Sequence, residues 1–232
     1  MYIYLGSSIL FYFSYLSLEK YASDYFPDSS KTAPLVTRKY RIANFVKAVA
    51  LTGLCLPGTQ FLYDVTFSPE ELNINVLNAI GATYVATDMS SMFYNTLMHQ
   101  STLIHHIVVQ LFYYYCYYNN FDLDNEIVRG IGIYCVLSSY ASIVNLRLAL
   151  RCCPDKTKYI ENFVNEVAIF VYITVSVINW IVQFTLLVSA MNIYFISQLI
   201  YAGALTMTIN DDLFLIKYLR NYTPSLETGS PE

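Results

Sequence analysis

From Phe163 to Ser189 the chain runs through apolar residues with a single charge, Glu166. A helix rising ~1.5 Å per residue needs ~20 such residues to cross ~30 Å of hydrocarbon. Six further runs have the same character: Met1 to Leu18, Ile42 to Leu62, Asn73 to Tyr94, Thr102 to Tyr118, Ile127 to Leu150 and Asn192 to about Ile216. Charged residues make up 13% of the chain, about half the ~25% of soluble domains. The expected fold is therefore an all-α, multi-pass membrane protein of about seven transmembrane helices. The first run lacks a basic leader and a small-residue cleavage site, which reads as a retained span. Within the second, Pro57-Gly58 predicts a break.

The segments between the runs set the orientation. Glu19 to Arg41 reads as a polar surface loop ending in the basic "TRKYR", and Asp64 to Glu71 as an acidic turn. Asn119 to Glu126 is acidic, Arg151 to Glu161 basic, and the tail polar. Basic residues follow spans one, five and seven, so the positive-inside rule places the amino terminus lumenal or extracellular and the carboxyl terminus cytosolic. Lys47 and Arg147 then lie near cytosolic span ends, and the sequon Asn221-Tyr222-Thr223 is a chance match on the wrong side. No basic run interleaved with aromatics suggests nucleic acid as a partner. The five cysteines form no CxxC and suggest no metal site. Cys152 and Cys153, at a span end, are candidates for palmitoylation.

Ionisable groups inside a span cost roughly 2.5 to 3.5 kcal/mol each on insertion scales and tend to mark function. Counting ~1.5 Å per residue, Asp88 lies about 9 Å inside the cytosolic end of span three, and His105 and His106 about 5 to 6 Å inside span four. By the same count Asn145 and Arg147 lie roughly 5 to 8 Å inside span five, with Ser142 up to a turn deeper. Asn210, Asp211 and Asp212 approach this layer from span seven, where the acidic pair reads as a solvated span end. Adjacent histidines point about 100° apart on a helix, so one would act while the other supports. A neutral imidazole accepts a proton from an amine or hydroxyl, or carries an acyl group, and Asp88 would fix its tautomer. The competing reading has these groups making only interhelical hydrogen bonds, with Arg147 reaching headgroups. Trp180 reads as a packing residue.

The order of these elements resembles the TLC-domain family: "GATYVATDMSSMFY" with Asp88, a short link, "TLIHHIVVQ" with His105 and His106, then "LSSYASIVNLRLAL" with Asn145 and Arg147. The basic "RKYRIANFVKAV" and the terminal "INDDLFLIKYLR" fit more loosely. The resemblance spans about Arg38 to Arg220. It implies an amino-terminal helix and cytosolic loop over 1–37, a TLC domain over 38–220 and a disordered cytosolic tail over 221–232. It also implies a six-helix barrel around a lipid-sized tunnel, in the endoplasmic reticulum or a related membrane. In the family's ceramide synthases, paired histidines and aspartates join an acyl chain from acyl-CoA to a sphingoid base. Here "RCCPDKTKYIE" stands where those enzymes carry their downstream acids, so the chain is closer to the TLCD branch, which is linked to membrane-lipid composition. Three readings follow: lipid metabolism or homeostasis with acyl transfer as the candidate reaction; a ceramide-synthase-like N-acyltransferase; or a non-catalytic lipid transporter or cargo receptor. The resemblance assigns His105, His106 and Asp88 to catalysis and Asn145, Arg147 and Ser142 to substrate. Membrane lipids are the expected partners, and acyl-CoA is a co-substrate candidate, with no resident cofactor.

Overall fold

The computed structural model describes residues 1–25, 35–68, 72–95, 98–150, 158–189 and 195–221. Among these the chain is wholly helical: α1 (Tyr2–Tyr25), α2 (Leu35–Phe67), α3 (Ile74–Tyr94), α4 (Gln100–Tyr118), α5 (Glu126–Ser139), α6 (Ser142–Leu150), α7 (Lys158–Ser189) and α8 (Phe195–Asn221). Cys152, Cys153 and the tail beyond Asn221 lie outside the described residues.

Local chemistry explains several boundaries. Asn73 and Asn125 cap α3 and α5, their side chains accepting the N–H groups of Asn75 and Val76 and of Ile127 and Val128. At the end of α4, Phe121 N–H donates to Cys116 O and Asn120 N–H to Tyr117 O, the paired bonds of a Schellman stop. Asn120 and Phe121 both have φ near +53°. That conformation is unfavourable for a bulky side chain, and Phe121 holds it with its ring buried against Tyr113.

Three expectations from sequence are corrected. The polar segment Glu19 to Arg41 is not all loop: α1 continues to Tyr25 and α2 starts at Leu35. Pro57 does not break α2, which runs on to Phe67. A proline removes one ladder bond, and packing against neighbouring helices can hold the rest of the helix in register. Gly58 beside it serves close approach, since a Cβ there would sit 2.8 Å from Val136 Cγ1 on α5. The run Ile127 to Leu150 is instead broken into α5 and α6, bent by 40°. The cause is local. Ser139 Oγ bonds back to Cys135 O, and the N–H groups of Tyr140 and Ala141 donate three residues back, to Leu137 O and Ser138 O. A tightened turn with serine back-bonding bends a helix.

The helices close a circuit. α2 packs on α3, α3 on α4, α4 on α8, α8 on α7, and α7 on α5 and α6, which return to α2. α1 lies outside this ring against α3 and α2. Among the described residues, Thr37–Phe67, Asn162–Ser189 and Ile196–Asn221 are long and apolar enough to cross a bilayer, and the bent α5–α6 pair qualifies as a fourth when taken as one span. The exposed and buried faces carry the same signature. α7 exposes Phe170, Ile181 and Phe184 while burying Ser176, Asn179 and Gln183. α4, which is less apolar overall, exposes Ile107 and Leu111 while burying His106 and Gln110. Large apolar faces of this kind are unusual on a water-exposed surface and are consistent with a membrane protein.

Candidate functional site

The buried ionisable groups meet inside the ring, beginning with α2, α3 and α4. Lys47 Nζ on α2 donates to Asp88 Oδ1 on α3. His106 Nδ1 on α4 stands 3.1 Å from the same oxygen, within hydrogen-bond distance although the ring N–H is out of line with it. The Asp88 side chain is 0% exposed and its Oδ2 has no protein partner. A carboxylate so far from water would cost several kcal/mol if left alone, and the Lys47 ammonium offsets that.

Backbone placement of Asp88 is equally specific. Tyr15 OH on α1 donates to Thr87 O, and Ser90 Oγ donates to Ser8 O, so α1 holds the turn of α3 on either side of Asp88. One turn along α4 from His106, Gln110 Nε2 donates to Val85 O while its Oε1 accepts from Tyr4 OH. These bonds fix the register of α4 against α3.

His105 turns the other way. Its Nδ1 lies 3.4 Å from Asp211 Oδ2 on α8, and the two imidazoles are 5.8 Å apart between centroids at 80°. The neighbouring Asp212 is buried and accepts from Tyr172 OH at 2.7 Å and Trp180 Nε1 at 3.1 Å, both on α7. The acidic pair is therefore not a solvated span end, and Trp180 is a hydrogen-bond donor as well as a packing residue. Adjacent positions on α8 point about 100° apart, so one carboxylate reaches α4 and the other α7.

The remaining residues singled out from sequence fall elsewhere. Asn145 Nδ2 reaches Ala141 O at 3.5 Å within its own bend, Arg147 is buried with its Nε donating to Asn165 on α7, and Ser142 opens α6. The shared depth of Asn145 and Arg147 with the histidines is a matter of height along the bundle; laterally Arg147 bonds to α7 and Asn145 bonds within its own bend. Two residues were missed. Hydropathy places Lys47 as a span-end cation, though its depth matches that of Asp88 on an adjacent antiparallel run. Asp211 had no signal beyond its place in that layer.

A narrow apolar hollow lies between α3, α4 and α5, lined among others by Leu77, Gly81, Phe112, Tyr134 and Cys135. Tyr84, one turn from Asp88, also lines it, and Lys47 Nζ sits 5.9 Å from that ring. Tyr84 thus stands between the hollow and the charged cluster. Among the described residues no three metal-ligating side chains converge on one point. No protein-family model, curated protein or solved structure matches the chain.

Proposed function

We propose that the chain is a seven-span membrane protein of TLC type that acts in lipid metabolism or membrane-lipid homeostasis, with acyl transfer as the reaction centred on His105 and His106. One observation carries this reading: an imidazole, a fully buried carboxylate and a lysine ammonium meet inside an apolar bundle. Such groups are costly to keep in hydrocarbon and tend to be retained for chemistry. A carboxylate behind Nδ1 orients the ring, leaving Nε2 to take a proton from an amine or hydroxyl, or to carry an acyl group.

Further support comes from α1, which packs outside the circuit formed by α2 to α8 as an extra amino-terminal helix would, while α5 packs inward on α3 and α4. The exposed apolar faces of α4, α7 and α8 are suited to lipid. Membrane lipids are the partners, long-chain acyl-CoA the acyl donor and a sphingoid base the first acceptor to try, in the endoplasmic reticulum. A ceramide-synthase-like N-acyltransferase is the narrower form of this reading. The separation of the apolar hollow from the histidines by Tyr84 favours one alternative, a lipid transporter or cargo receptor that binds tails without reacting them.

The test is to incubate purified protein in lipid nanodiscs with long-chain acyl-CoA, with and without a sphingoid base. The reading expects CoA release, or an acyl mass gain on His105 or His106, lost in His106→Ala. Neither signal, from protein that remains folded, removes the acyl-transfer reading and leaves the carrier.

A further inference from the structure

We propose that Asp211, from the last helix, is the positioning carboxylate of His105, so that the two histidines form separate His–Asp dyads side by side on α4. The division of roles expected from sequence, one active imidazole and one supporting, then gives way to two equivalent units. His106 is backed by Asp88 and Lys47, His105 by Asp211, and in both the near ring atom is Nδ1. The proposal places the proton of each ring on Nδ1, the nitrogen facing its carboxylate, and leaves Nε2 as the acceptor, although in the resting geometry neither Nδ1 makes an aligned hydrogen bond.

The approach of Asp211 is built into the α4–α8 interface. His99, which caps α4, stacks on Phe214 with centroids 5.1 Å apart, and Phe112 packs on Tyr201 at 5.3 Å. The His105–Asp211 contact lies between these two anchors, which together set the register of α8 against α4. Asp212 adds a third constraint by accepting from Tyr172 and Trp180 on α7, which fixes the rotation of α8 and turns Asp211 toward α4. The 3.4 Å distance is loose, as is common in resting acid–base sites that tighten only when substrate binds. The use of the pair rests on the acyl-transfer reading. The Nε2 of either ring takes the proton of the attacking amine or hydroxyl as its nitrogen or oxygen bonds to the acyl carbon, and the imidazolium so formed returns that proton to the sulfur of the departing CoA as the thioester C–S bond breaks, so both rings end neutral as they began.

The arrangement itself can be tested without any reaction. The chain has three histidines, so ring nitrogen-15 spectra of histidine-labelled full-length protein in nanodiscs are assignable with His105→Gln and His106→Gln. His105 and His106 are expected as Nδ1–H tautomers. His99 is expected as the opposite one, because its Nδ1 accepts from Ser101 N–H. Asp211→Ala should abolish the Nδ1–H signal of His105 and leave His106 unchanged, while Asp211→Glu should retain it. The glutamate variant also serves if the alanine variant fails to fold: the proposal requires it to keep the His105 signal. An Nε2–H tautomer at His105 in the parent protein, an unchanged His105 in Asp211→Ala, or loss of the signal in Asp211→Glu overturns the proposal. Two intact dyads in a protein that transfers no acyl group would sink the function and leave the dyads standing.

Discussion

Replacing Lys47 by methionine removes the one ammonium that offsets Asp88 while nearly preserving the side chain's volume. Asp88 is 0% exposed, so water cannot take over from the lost partner. Breaking a buried ion pair from one side costs about 3 to 5 kcal/mol. Two features reduce that figure here: Lys47 is 15% exposed, so the pair is not fully withdrawn from solvent, and His106 Nδ1 remains 3.1 Å from Asp88. We expect a loss of about 2 to 3 kcal/mol for Lys47→Met on that basis. The reverse change, Asp88→Asn, leaves a lysine with access to the surface and should cost about 1.5 to 3 kcal/mol, the range for a lost hydrogen bond to a charged group. In the double variant no charge is stranded, so it should be more stable than Lys47→Met alone. The assay is reversible unfolding in mixed micelles, read as a double-mutant cycle. A Lys47→Met variant as stable as the parent, or a double variant no better than Lys47→Met, would refute the idea that the ammonium exists to balance Asp88.

Gly58→Ala places a methyl 2.8 Å from Val136 Cγ1 and should cost about 1 to 3 kcal/mol of stability, with Val136→Ala restoring much of it in the same unfolding assay. Tyr172→Phe takes one of two donors from buried Asp212 and should cost about 1 to 3 kcal/mol, more than the exposed Phe170→Leu on the same helix. For the proposed seven spans, single cysteines at Asp124 and Lys217 in a cysteine-free background should label with impermeant maleimide from opposite sides of sealed vesicles, and labelling from one side would remove that topology.

How far the sequence reached is clearest at particular residues. The runs ending at Tyr94, Tyr118 and Ser189 end where α3, α4 and α7 end, because hydropathy and Asn-rich links mark those boundaries. The bend at Tyr140 was hidden, since Ser138, Ser139 and Ala141 fit a helix by composition and only their three-residue backbone bonds reveal the turn. Pro57 misled in the opposite direction, as its cost is local and tertiary packing overrides it. The Asp88–His106 pairing was legible from matched depth on adjacent antiparallel runs. Depth alone placed Asn145 and Arg147 in the same layer, but lateral neighbours depend on helix rotation, which no linear count of rise contains. For the same reason Asp211 and Asp212 look like one acidic end and are a partly buried and a buried carboxylate with different partners.

The most direct test of the central claim, that the buried His–Asp cluster serves lipid chemistry, is the membrane-lipid profile of cells carrying the parent chain or His106→Ala at matched abundance and location. The account predicts that the parent shifts acyl-chain or sphingolipid composition relative to empty cells and that His106→Ala returns it to baseline. An identical shift from both proteins would contradict it, leaving the cluster as structural hydrogen bonding alone.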